Sequence, residues 1–205
     1  MTSAKPMRQS QLAGDPDPRW TAIATRDTRS DGHRPDRIPG ADIRFAIVKS
    51  ALGYLLVARS AKGVCAVLMG DSPSLLERDL RQRFPQVRLF GSHAHTESLA
   101  AEVARVVENP RLGLDLPLDV RGTAFQQRVW RALRQIAAGC TVSYAEVARR
   151  VGAPRSVRAV AQACAANPLA VLIPCHRVVR HDGALSGYRW GIERKRALLT
   201  LESCR

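Results

Sequence analysis

The chain has 205 residues, 45% of them hydrophobic, with 32 Lys and Arg against 18 Asp and Glu, a formal net charge of +14. No stretch approaches the roughly 20 apolar residues of a membrane-spanning helix, and the amino-terminal segment lacks the apolar core of a secretory signal. The five cysteines are an odd number without framework or CxxC spacing, which argues against a disulfide scaffold or a zinc site and suits a reducing, cytoplasmic compartment.

Residues 1–42 are rich in Arg, Asp, Pro and Gly and show no apolar periodicity, so a disordered tail is expected there. Residues 43–109 read as a small α/β domain. Short strands are predicted over 45–48, 54–58 and 64–69, with turns at Leu52-Gly53 and Lys62-Gly63. Ser74 and Glu77 have capping-box spacing and open a helix that must stop before Pro85. A second helix, about 97–108, places Leu99, Val103, Val106 and Val107 on one face. Residues 110–120, with Pro110, Gly113 and Pro117, read as a linker.

Residues 121–205 form a second, mainly helical unit. Thr123 and Gln126 cap a helix that turns Phe125, Val129, Trp130, Leu133 and Ile136 inward. Ser143 and Glu146 cap another, running to about 150 and burying Val147 and Val151. Gly152-Ala153-Pro154 breaks the chain, and a further helix over about 155–166 carries Val157, Val160, Ala161 and Cys164 at i, i+3, i+4, i+7. Its remaining surface is small: Ala159, Ala163, Ala165 and Ala166. This is an αα-hairpin or a DNA-binding helix-turn-helix. Charge favours the second, because 121–205 carries 15 basic and 4 acidic residues against 17 and 14 in the first 120. That asymmetry is the footprint of a polyanion binder, and arginine suits phosphate contact. A coding bias toward arginine would not separate the halves.

After Asn167-Pro168 comes the apolar run Leu169 to Ile173, then Pro174-Cys175-His176-Arg177-Val178-Val179. A thiolate is a strong soft nucleophile, and a neighbouring imidazole can take its proton. Neighbours in a regular strand face opposite ways, so the pair works only if Pro174 bends the backbone. A cysteine in an apolar run is ordinarily an inert core side chain, so its flanks must decide.

Those flanks resemble the O6-alkylguanine-DNA alkyltransferases, most of all the carboxy-terminal half of Ada-type members. The matching pieces are Arg121 to Gln126, Val142-Ser143-Tyr144, Arg158-Ala159-Val160, Ala165-Ala166-Asn167, Ile173 to Val179 and Gly183 to Gly191. A weaker likeness over 44–71 extends it to about four-fifths of the chain. The resemblance implies an α+β protein with a ribonuclease-H-like amino-terminal domain and a winged-helix-like catalytic domain containing the helix-turn-helix.

It also implies the chemistry. The protein would be a monomer acting on double-stranded DNA containing O6-alkylguanine, and on O4-methylthymine, by flipping the damaged base out. Ser156, Arg158 and Ala159 would face the DNA, with Arg158 filling the gap left by the base. Cys175 would attack the alkyl carbon, His176 would be its base, and Glu202, 27 residues on, would orient and charge the imidazole. Tyr144 would protonate the leaving guanine, Asn167 would link the DNA-binding helix to the active-site turn, and the carbonyls of Cys175 and Val178 would accept from the base's amino group. The thioether would be permanent, so each molecule would act once, without cofactor or metal. Arg189 and Trp190 stand where some members carry small residues, and are expected to narrow the alkyl pocket. A damage-binding relative without repair would lack the cysteine. A full Ada-type activator would need a cysteine-rich zinc module upstream, and 1–42 holds no cysteine. A Cys-His hydrolase would leave the basic helix-turn-helix unexplained.

Overall fold

The computed structural model describes residues 20–22, 42–91 and 93–203. The first half is built on a six-stranded sheet ordered β1-β6-β4-β3-β2-β5. Its centre is β3 (Gly53–Arg59) and β4 (Val64–Gly70), whose nearly unbroken apolar runs are buried on both faces. β2 (Asp42–Ser50) pairs antiparallel with β3 through a tight turn at Gly53, where φ is +99°. Only glycine adopts that angle without strain. α1 (Pro73–Arg83) packs Leu76 and Leu80 on β4 and β3. α2 (Ala94–Glu108) covers β2 and β3 with the apolar face expected from its spacing.

Three expectations change here. α1 starts a half-turn early, at Pro73 after an N-cap at Ser72, so Ser74 is not the cap; proline's fixed φ suits the first helical position, and Ser72 bonds the Ser74 hydroxyl instead. The linker is not structureless: Leu118–Val120 is β6, fully buried. Asp119 at its centre is tolerated because Ser60 Oγ donates to it at 2.7 Å and Arg121 Nη2 at 2.8 Å. Finally, Trp20–Ala22, inside the expected disordered tail, is β1 and runs parallel to β6. The rest of that tail lies outside the described residues. β5 (Arg88–Gly91), which sequence patterning did not reveal, closes the other edge on β2.

The second half stacks four helices. α3 (Ala124–Arg134) opens on a full capping box: Thr123 Oγ1 accepts from Gln126 N, and Gln126 Oε1 accepts from Thr123 N. Its Trp130 is buried and donates from Nε1 to Ala163 O at 2.8 Å, tying α3 to α5. Gly122 makes room for that indole, since a Cβ there would meet it at 2.6 Å. α4 (Tyr144–Arg150) and α5 (Val157–Ala166) form the hairpin, turning at Gly152 with φ +71°. Ser143 caps α4 as expected, but the box is half made, because Glu146 pairs with Arg149 and Arg150 instead. A short parallel pair, β7 (Val142–Ser143) with β8 (Val178–Val179), and α6 (Ile192–Ser203) complete the unit.

The halves are stitched directly. Val67 on β4 donates to Pro168 O and accepts from Ala170 N, both at 2.9 Å. The chain leading to Cys175 therefore extends the amino-terminal sheet.

Candidate active site

Asn167 ends α5 and organises the turn that follows. Its Nδ2 donates to Ile173 O at 2.8 Å, to Leu169 O at 3.3 Å and to Cys175 Sγ at 3.2 Å, while Oδ1 accepts from Leu169 N at 2.9 Å. Within this loop Val171 has φ +67°, a strained angle for a β-branched residue that only the surrounding bonds can hold. After Pro174 the backbone enters one 3₁₀ turn, Cys175–Arg177, which supplies the expected bend.

Cys175 is buried, at 4% exposure. Burial pushes its thiol up to about 11, against the Asn167 N–H and the charge of Lys195, which favour the thiolate. The resting form at neutral pH is therefore S–H, and a base is needed. His176, fully buried, is held neutral by that burial, which lowers its pKa against the opposing pull of Glu202. Its Nε2 lies 2.8 Å from Glu202 Oε1, and its Nδ1 meets no protein partner. An ionised Glu202 fixes the proton on Nε2, which leaves Nδ1 as the basic atom.

Glu202 is ionised. Burial would raise its pKa, but hydrogen bonds and charge from His176 and Arg177 hold it down at about 2. Arg177 Nε and Nη2 grip the carboxylate at 2.8–3.0 Å while Nη1 donates to Ile136 O, and Gly139 N donates at 3.2 Å. Arg177 and Gly139 are site residues that sequence reasoning did not single out as such. Lys195 is another. It is wholly buried, its Nζ donates to Val178 O at 2.6 Å, and burial lowers its pKa. The run Ile192-Glu193-Arg194-Lys195-Arg196 reads as a solvated surface, which hid it.

Tyr144, at the start of α4, is partly buried and 2.6 Å from Ser186 Oγ, which ties it to the 183–191 loop; burial raises its pKa. In that loop Tyr188 stacks edge-on against His176 at 6.5 Å, and Trp190, only 6% exposed, stacks edge-on against Tyr188 at 5.1 Å. Arg189 points elsewhere, pairing with Asp79 of α1 at 3.0 Å. Cys175, His176, Glu202, Asn167 and Val178 are thus gathered, with Tyr144 and Trp190 joined through the loop. Ser156, Arg158 and Ala159 sit apart, around the start of α5. Arg158 is exposed and forms no ion pair among the described residues. Val157, expected inside, is 36% exposed as the first residue of α5; Val160, Ala163 and Cys164 form the buried face. No group of three His, Cys, Asp or Glu able to hold a metal occurs among the described residues.

Known proteins share this chain's sequence and fold. The family described as the DNA-binding domain of 6-O-methylguanine DNA methyltransferase matches residues 124–204. The inducible methylated-DNA–protein-cysteine methyltransferase of Bacillus subtilis is 39% identical over 147 residues, 71% of this chain and 82% of its own. The bifunctional transcriptional activator/DNA repair enzyme Ada of Escherichia coli is 50% identical over 161 residues, 78% of this chain but 46% of its own, so this chain spans about half the length of that relative. Among solved structures, Mycobacterium tuberculosis OGT in complex with DNA superposes with a TM-score of 0.67 at 36% identity, covering 78% of this chain and 92% of that one. A mixed α+β fold with a buried Cys-His-Glu site beside a helical hairpin defines the class, and the chain belongs to the methylated-DNA–protein-cysteine methyltransferase family.

Proposed function

We propose that this protein repairs duplex DNA by moving a methyl or other small alkyl group from O6 of guanine, and from O4 of thymine, irreversibly onto Cys175. The observation that carries the reading is a buried thiol held by Asn167 at the foot of the helix-turn-helix, beside a His176–Glu202 pair. The damaged base leaves the stack to reach it. α5 meets the DNA, where its small side chains permit close approach, and Arg158 takes the vacated place.

His176 takes the thiol proton through Nδ1 and a bridging water, and Glu202 stabilises the imidazolium, as in other Cys-His arrangements. The sulfur attacks the alkyl carbon; the S–C bond forms as the C–O6 bond breaks. Tyr144 supplies a proton to the leaving guanine, whose charge must be neutralised for it to depart. The carbonyls of Cys175 and Val178 hold its amino group. Nothing in this chemistry removes the alkyl group, so each molecule reacts once, as a monomer. In finer fold terms we read the sheet unit as ribonuclease-H-like and the β7–β8 pair as the wing of a winged helix.

Intact-protein mass spectrometry after incubation with O6-methylguanine duplex tests this. One methyl should appear per molecule, on Cys175, and Cys175→Ala should take none while still binding DNA. Multiple turnover, or label on Cys164, would overturn the mechanism.

A further inference from the structure

Arg194, in the first turn of α6, reaches away from the thiol toward the sheet. Its side chain is 16% exposed. Nε donates to Leu52 O at 2.8 Å, Nη2 meets Asp71, and Nη1 donates to Trp190 O at 2.8 Å. One guanidinium thus joins the β2–β3 turn, the end of β4 and the loop that carries Trp190. The approach depends on a glycine: a Cβ at Gly53 would stand 3.0 Å from Arg194 Nη2 and 2.7 Å from Gly70 O. A second tie, Arg189 to Asp79, anchors the same loop to α1. From Trp190 the rings continue through Tyr188 to His176.

We infer that Arg194 is a positioning residue through which the amino-terminal sheet sets the width of the alkyl pocket, an inference that rests on the proposed alkyl transfer to Cys175. The loop has no regular secondary structure of its own between Arg180 and Gly191. Its backbone at Trp190 is fixed by a bond to a side chain whose other donors are spent on the sheet. With that carbonyl held, the indole stays wedged against Tyr188. With it released, the indole swings outward, and a ring-sized alkyl group enters where only a methyl fitted. Discrimination by a filled apolar slot is sensitive to shifts of this kind.

The test compares native protein, Arg194→Ala, Arg194→Lys, Asp71→Ala and Trp190→Gly. Two rates are measured for each: methyl transfer from O6-methylguanine duplex and inactivation by free O6-benzylguanine. Trp190→Gly sets the upper limit of an opened pocket. The benzyl-to-methyl ratio should rise about tenfold in Arg194→Ala, with Arg194→Lys between it and native. Asp71 is 86% exposed, so its removal leaves the fold intact and should move the ratio the same way by a smaller factor. A general loss of structure would lower both rates together and leave the ratio unmoved. A ratio within twofold of native in Arg194→Ala and Asp71→Ala overturns the clasp; should Arg194→Ala fail to fold, Asp71→Ala decides alone. Native protein that takes no methyl at all would instead remove the reading beneath it.

Discussion

Replacing Glu202 by glutamine should weaken the fold and the chemistry together, by amounts that depend on pH. The carboxylate is 2% exposed and its pKa is held at about 2 instead of the ordinary 4.5. At 1.36 kcal/mol per pKa unit, that difference is worth roughly 3 kcal/mol of stability at pH 7. Because the folded value is depressed, the contribution is complete above about pH 4.5 and is lost as pH falls toward 2. At pH 3 less than half of it remains. His176 bears its own acid cost for burial, and the Glu202 charge opposes that cost, so the substitution deepens it at low pH and offsets part of the carboxylate's pH dependence. Urea denaturation of native protein and Glu202→Gln at pH 7 and pH 3 reads the effect. We expect a gap of roughly 3 kcal/mol at pH 7 that narrows at pH 3. Methyl transfer should slow by about 10²-fold, the scale of a disabled general base. A gap below about 1 kcal/mol at pH 7, the worth of an exposed pair, or one equal at both pH values, would refute the reasoning.

Arg158→Ala should slow transfer from duplex DNA by about tenfold, the equivalent of 1.4 kcal/mol, while leaving reaction with a free-base analogue nearly unchanged. Its loss should also flatten the salt dependence of DNA binding by about one charge; equal slowing on both substrates would place Arg158 in the chemistry or the fold. Deleting residues 1–40 removes β1, three residues at the sheet edge. We expect the melting temperature to fall by no more than about 4 °C, roughly 1 kcal/mol for a chain of this size, with methyl transfer unchanged. A larger fall, or slower transfer, would mean that this segment supports the body of the protein.

Much of this was legible in the sequence where local rules decide. The Thr123–Gln126 box forms both its bonds, Ser143 caps α4, and the chain bends after Pro174 into a 3₁₀ turn at Cys175. What was hidden depends on partners far away in sequence. Leu118-Asp119-Val120 was absorbed into a linker by Pro110, Gly113 and Pro117 before it, and the partners that make its central charge tolerable inside are Ser60, far off in sequence, and Arg121. Arg177 and Gly139 meet Glu202 from 25 and 63 positions away, and no periodicity reports such pairs. Lys195 hid in a charged run because burial of its amine rests on one carbonyl across the fold. Val157 failed differently: its spacing fits the apolar face, but helix ends are where a periodic pattern loses its grip.

The stitch between Val67 and 168–170 joins points about a hundred residues apart. Contacts of such span form late in folding, because loop closure precedes their reward. The thiol's surroundings are therefore a product of the finished molecule. In a chain whose sheet has not yet closed, the loop before Cys175 lacks its dock on Val67. The place of the loop before Cys175 is thus settled only when the sheet and the helical half have met.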